Sequence, residues 1–278
     1  MYADSEIRSL SANEGGSLPK GRLSSLHHAL DILEVLGERG PEVSLSEAAA
    51  AAGIGKSGAH KILQNLQSRG YVRQGAVGGR YSLGLATWRL GARCGDAATL
   101  AAHASPVLER LTAATAETSH VVIRDASEIV YLARAETQRA VKAYGNVGDR
   151  APAQCVATGK VLLAALPWRA VDALLPPLLP AITPTSVTDR ELLREELRQV
   201  ATRGYALNRG EWRADVNGIA VLAGRTPSGV PIAIGISAPA YRFPDETALS
   251  LLPRLTEAAE ELKASWSSAP ARGEEQSA

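Results

Sequence analysis

Between Leu23 and Arg93 the chain breaks into three short helical periods and a hairpin, each cut off by glycine, and few folds accommodate that order. Leu26, Ala29, Leu30, Leu33 and Leu36 recur at helical spacing, and Gly40-Pro41 ends the period. Ser44-Leu45-Ser46-Glu47 fits a capping box, in which the serine hydroxyl accepts from the amide three residues on and the glutamate reaches back. It opens an alanine run to Ala52, stopped by Gly53. A third helix is predicted from Lys56 to Arg69, with Gly70 as its stop. Its Ala59, Ile62, Leu63 and Leu66 fall on one stripe, and Lys56, Ser57, His60, Lys61, Gln64 and Asn65 face the other way. Tyr71-Val72-Arg73 and Arg80-Tyr81-Ser82-Leu83 then read as strands around a glycine-rich tip, Gln74 to Gly79. Three helices and a basic hairpin spell a winged helix-turn-helix. In that arrangement the third helix enters the major groove and the wing touches backbone or minor groove.

Charge agrees with this assignment. Residues 1–93 carry 11 Lys+Arg against 8 Asp+Glu, and the remainder 19 against 21, so a net +1 hides a basic front and an acidic back. From Ala48 to Gly95 there is no acidic residue, yet Lys56, Lys61, Arg69, Arg73, Arg80, Arg89 and Arg93 are all present. Such a window is the footprint expected of a polyanion partner, with Arg73 and Arg80 of the wing on phosphates.

The rest of the chain alternates helices with paired strands. Residues 1–21 read as a loose arm, 22–84 as the DNA-binding domain, 85–103 as a linker helix, 104–266 as a second domain and 267–278 as a tail. Within the second domain, helices are expected at Ser105–Thr118, Thr158–Leu166, Asp189–Arg203 and Asp245 to about Trp266. Strands are expected at His120–Arg124, Glu128–Ala135, Val141–Tyr144, Val216–Arg225 and Val230–Ser237. Helices flanking a mostly antiparallel sheet make an α+β domain. The longest charge-free stretches are broken by Pro and Gly and fall short of a membrane span, and the N-terminus lacks a signal pattern, so a cytoplasmic protein without a membrane partner is expected.

Few residues suggest catalysis. Gly55-Lys56-Ser57 lacks the glycine and the preceding strand of a phosphate loop, since position 50 is Ala50 in a helix. His27-His28 lack carboxylates at ligand spacing, and two cysteines cannot build a disulfide framework or a four-cysteine zinc site, so neither metal nor cofactor is expected. Glu191, Glu195 and Glu196 alternate with Arg190, Arg194 and Arg198 as a solvated ion-pair face. Cys155 precedes a helix, a position that lowers a thiol pKa, but none of the five histidines has a context that points to a partner for it. Ala157-Thr158-Gly159-Lys160 opens that helix. Its free amides serve equally as a plain cap or as a seat for a carboxylate.

From Leu23 to Trp266 the sequence resembles the IclR family of bacterial transcription regulators. The matching segments are Gly53 through Leu63, Arg80-Tyr81-Ser82-Leu83-Gly84, Pro152 through Lys160, Asp189 through Tyr205, Glu211, Gly218-Ile219-Ala220 and Ser237-Ala238-Pro239. The resemblance implies a winged helix, a linker helix and a GAF-like effector domain, in homodimers or tetramers on palindromic operators. Gly58 and Lys61 stand where the family usually has Thr and Arg, and Gly58 costs about 1 kcal/mol of helix propensity. In family members that take small keto or aldehyde acids, the carboxylate meets amides that map onto Ala157 and Thr158. Asp, Cys, Ser and Ser are common there at positions that are Asn208, Gly218, Gly235 and Ser237 here, and bulky apolar residues map onto Ala140, Ala143 and Ala151. The resemblance therefore implies a carboxylate effector larger than a two-carbon acid, in space opened by the alanines and glycines. The reading is a ligand-responsive, non-enzymatic regulator. Two alternatives are a thiol-dependent hydrolase or transferase using Cys155, and a DNA-binding protein whose second domain only oligomerises.

Overall fold

The computed structural model describes residues 24–40, 42–76, 79–94, 96–143 and 145–267. The predicted arm at 1–21, the tail beyond 267, and parts of the wing tip (77–78) lie outside the described residues. The chain divides into two compact units, Met1–Arg93 and Cys94–Ala278.

In the first unit, α1 (Ser24–Glu38), α2 (Leu45–Ala51) and α3 (Lys56–Ser68) surround a small core of Ile32, Leu36, Ala48, Ala59, Leu63 and Val72, none more than 2% exposed. The capping box is formed: Glu47 N donates to Ser44 Oγ at 3.3 Å and Ser44 N donates to Glu47 Oε2 at 2.8 Å. β1 (Val72–Gln74) and β2 (Tyr81–Leu83) pair antiparallel, and a bridge from Tyr81 to Val43 ties the hairpin to the strand-like segment before α2. α4 (Leu85–Gly91) follows.

In the second unit, one antiparallel sheet is covered by helices on both faces. Its strands are β3 (Thr118–Asp125), β4 (Glu128–Ala135), β5 (Arg150–Pro152), β6 (Tyr205–Arg209), β7 (Val216–Arg225) and β8 (Pro231–Pro239), in the order β5-β4-β3-β8-β7-β6. Alternation sends Val121, Ile219, Ile234 and Ile236 toward α5 (Asp96–Thr115) and α10 (Leu252–Ser267). The intervening positions, among them Val122, Ala220 and Ala233, face α6 (Ala157–Ala164) and α8 (Arg190–Arg203). α7 (Trp168–Leu174) and α9 (Asp245–Ser250) complete the unit.

Five expectations change. The linker is not one helix over 85–103: α4 stops at Gly91 and α5 starts at Asp96, running through Pro106 because Leu100, Ala104 and Leu108 are fully buried along it. Packing there outweighs the hydrogen bond that the proline deletes. Residues 141–143 are not a strand; the edge strand is β5 instead, since the carbonyls of Ala143 and Gly145 are taken by Arg134 rather than by a neighbouring strand. Tyr144 lies outside the described residues. β6 and α7 had no sequence assignment. Finally, the last helix is two, interrupted at Leu251 just before Pro253, whose ring cannot sit against the carbonyl four residues back.

Candidate functional site

Two sites emerge, one in each unit. In the first, α3 buries Ala59 and Leu63 and leaves Lys56, Ser57, His60, Lys61, Gln64 and Asn65 exposed, so all six expected residues share one solvent face. Asn65 is partly committed, its Nδ2 donating to Lys61 O at 2.8 Å. The wing arginines are braced from beneath: Arg73 Nε donates to Ser82 Oγ at 2.9 Å, and Arg80 donates to Glu42 O at 2.8 Å and lies 4.0 Å from Glu47. Both remain exposed. This is a convex, polar and cationic helix with a basic hairpin beside it, complementary to a phosphate-lined groove.

The second site lies on the α6 side of the sheet. Register pairs Asn208 with Gly218, Gly218 with Ser237, and Ser237 with Thr118, a lateral row over four strands. The next row runs Ala206, Ala220, Gly235, His120 and Arg134. Tertiary structure thus brings Asn208, Gly218, Gly235 and Ser237 together with Thr158 of α6. Thr158 is 1% exposed, and its Oγ1 is a buried hydroxyl with no hydrogen-bond partner.

Several expected roles need correction. Gly235 opens no space: a methyl there would lie 2.8 Å from Thr158 Cγ2 and 3.1 Å from His120 Nε2. Gly218 is similarly close, 3.1 Å from Ile236 O. The side chain of Asn208 is committed to the following turn, its Oδ1 accepting from Glu211 N at 2.9 Å and its Nδ2 donating to Val216 O at 3.4 Å. Ala140 is exposed, while Ala143 is buried and held through its carbonyl by Arg134. Ala151 is buried on β5, in register with Ile129. Ala157 is buried at the first turn of α6, where its amide has no partner within the helix.

Sequence reasoning missed the charged centre behind this site. Lys160 is fully buried, with Nζ 2.7 Å from Glu196 Oε1, 2.6 Å from Glu211 Oε2 and 3.3 Å from Leu207 O. Burial pushes the Glu211 carboxyl up, with the lysine opposing the shift. Glu196 therefore leaves the expected solvated face, although Arg194–Glu191 (3.6 Å) and Arg198–Glu195 (2.7 Å) do pair there. His120, Tyr131 and Arg134 were also missed, because only the register aligns His120 and Arg134 with Gly235 and sets the Tyr131 ring against His120. Cys155 is 1% exposed, and burial together with Glu211 pushes its thiol up to about 12. That shift is opposite to the one a thiolate nucleophile requires.

Comparison with known proteins agrees with this geometry. Residues 25–76 match the IclR helix-turn-helix domain, and residues 94–264 match the bacterial transcriptional regulator IclR C-terminal domain. The chain is 32% identical over 224 residues to the HTH-type transcriptional regulator XynR of Escherichia coli, covering 80% of this chain and 89% of that protein. A transcriptional regulator from Rhodococcus sp. RHA1 superposes with a TM-score of 0.73 at 30% identity, covering 88% of this chain and 99% of that one. An IclR homologue from Microbacterium hydrocarbonoxydans, complexed with 4-hydroxybenzoate, gives 0.75 at 27% identity, covering 88% and 100%. Among the described residues no helix is long and apolar enough to cross a membrane. With a winged helix in front, an α+β domain behind and family matches over both units, the chain belongs to the IclR family of DNA-binding transcriptional regulators.

Proposed function

We propose that the protein represses or activates transcription by binding a palindromic operator as a homodimer or tetramer, and that a carboxylate effector larger than a two-carbon acid controls it. The observation that carries the DNA-binding half is the exposed face of α3, all polar or cationic, inside a window of 48 residues without one carboxylate. Lys56, Ser57, His60, Lys61, Gln64 and Asn65 read base edges and phosphates, and Arg73 and Arg80 hold the flanking backbone. One winged helix reaches few base pairs, so genome-scale selectivity calls for paired half-sites. Exposed Leu85 (82%) and Trp88 (71%) on α4 supply an apolar seam for a second copy.

Support for the effector comes from the first turn of α6, whose amides favour an anion, and from the buried, unpartnered Thr158 hydroxyl beside it. The homologue holding 4-hydroxybenzoate is consistent with a carboxylate of that size. Small alanines stand at the buried positions 143 and 151, where a bulkier side chain would take up more of the space open to its body. An effector domain is favoured over a purely oligomerising one, which would have no use for an unpartnered buried hydroxyl.

The test is operator binding by fluorescence anisotropy on footprinted DNA. Lys61→Ala weakens specific binding, on the order of 1–3 kcal/mol if it reads a base. Arg80→Ala weakens all sequences about evenly and lowers the salt slope by about one. Wild-type affinity in both variants at physiological salt overturns the placement. For the effector, Thr158→Val, which keeps the shape and removes the hydroxyl, lowers carboxylate affinity measured by calorimetry; unchanged affinity refutes that half.

A further inference from the structure

On the α6 side of the sheet, a polar group that the carboxylate seat does not use lies beside Thr158. His120 on β3 pairs across the sheet with Arg134 on one side and Gly235 on the other, so the three share one row and one face. Only because position 235 is glycine can Thr158 Cγ2 and His120 Nε2 both converge on it, 2.8 Å and 3.1 Å from where a methyl would stand. His120 is 6% exposed and has no hydrogen-bond partner among the described residues; its ring stands edge-on to Tyr131, centroids 5.1 Å apart at 61°. The Arg134 Nε is buried without a hydrogen-bond partner, 4.0 Å from Glu136 Oε1, while the other guanidinium nitrogens hold the carbonyls of Ala143 and Gly145.

A buried hydroxyl without a hydrogen-bond partner, at Thr158, beside a histidine ring that has none among the described residues, is not what a packed core tolerates. A fold served only by packing would carry Phe or Leu at position 120. Burial, and then the Arg134 cation, push the His120 imidazole down to about 3, so the ring is neutral and offers one N–H donor and one acceptor. A neutral ring of this kind suits an uncharged oxygen, and the neighbouring cation repels an ammonium group.

We propose that His120 is a specificity-determining residue, hydrogen-bonding an uncharged hydroxyl or carbonyl oxygen on the effector whose carboxylate sits at the start of α6. The inference rests on the carboxylate reading of that site. It makes oxygen-substituted acids the preferred ligands over their unsubstituted parents and over amino acids of the same size. A site built to hydrogen-bond a hydroxyl rejects the analogue lacking it, because its own polar group is then stranded.

The experiment is calorimetry on the full chain with two series: benzoate with 3- and 4-hydroxybenzoate and 4-aminomethylbenzoate, and hexanoate with 2-oxohexanoate and 6-hydroxyhexanoate. In at least one series the oxygenated acid binds tenfold or more tighter than its parent. His120→Phe brings that ratio to near one while leaving the parent acid within about threefold, and His120→Asn, which keeps a donor and an acceptor, restores part of the preference. A structural role alone would move both affinities together. Should the Phe variant fail to fold, the wild-type protein labelled with 15N-histidine reads the same contact, since an oxygenated acid shifts one His120 ring nitrogen and the parent acid does not. Parent and oxygenated acids binding equally, or a ratio unchanged in His120→Phe, overturns the role of His120 and leaves the carboxylate seat standing. No binding of any acid at millimolar concentration overturns the carboxylate reading itself, and this inference with it.

Discussion

Two helical glycines, at 58 and 159, separate intrinsic propensity from packing, and the same substitution is expected to act on them in opposite directions. Propensity alone favours alanine at both, by about 1 kcal/mol. At Gly159 the new methyl would lie 2.1 Å from Ala153 O and 2.5 Å from Ala153 Cα. The obstacle is backbone in a fully buried turn, so α6 and that turn must separate by about 1 Å or more to restore ordinary contact. Overpacking of this kind costs about 1–3 kcal/mol and sometimes more. A 2.1 Å approach to backbone belongs at the upper end of that range, so with the propensity gain set against it Gly159→Ala destabilises the second unit by about 1–2 kcal/mol, a fall of roughly 2–8 °C for a domain of its size. At Gly58 the nearest obstacle is Ile54 Cδ1 at 3.6 Å, an ordinary contact on an exposed helix face. Gly58→Ala therefore stabilises the first unit by about 0.5–1 kcal/mol, a rise of roughly 2–8 °C for so small a domain. Differential scanning calorimetry of the full chain reads both. A Gly159→Ala protein that melts at or above the wild-type temperature refutes the packing account of α6.

Three further outcomes are expected. Lys160→Met leaves the buried Glu211 and the half-buried Glu196 without their cation, and costs about 3–5 kcal/mol at pH 8. Because the Glu211 carboxyl is raised, the folded state holds the extra proton between the unfolded and folded values. Its contribution is therefore largest at low pH and lost as pH rises through the folded value, so thermal unfolding of Lys160→Met recovers between pH 8 and pH 5; a flat profile refutes this. Iodoacetamide at pH 8 modifies exposed Cys94 in the native protein and spares Cys155, whose thiol is buried and raised to about 12; mass spectrometry showing rapid Cys155 labelling would contradict the assignment. Ser44→Ala removes one arm of the capping box and lowers the stability of the first unit by about 1 kcal/mol, and an unchanged melting temperature in that unit counts against it.

Local chemistry was legible where neighbours in the chain are neighbours in space. The capping box at Ser44 and Glu47, the glycine stops at 53 and 70, and the α3 stripe of Ala59 and Leu63 opposite Lys56 and Lys61 all depend on spacings of three or four residues, which a helix turns into contacts. The acid-free window is composition and needs no fold. The second site depends on pairings that no local spacing encodes. His120 meets Arg134 and Gly235, and Lys160 meets Glu196 and Glu211, across separations of 14 to 115 residues; only sheet register and helix packing decide them. The same register turned Gly235 from apparent empty space into the meeting point of Thr158 and His120, because whether an absent side chain leaves a cavity depends on what the neighbouring strand and helix put there. Residue types and local periods thus determined most of the elements, the cap and the cationic face, whereas the make-up of the candidate site on the α6 side was decided by tertiary structure, since burial, charge pairing and free volume are properties of groups brought together from distant parts of the chain.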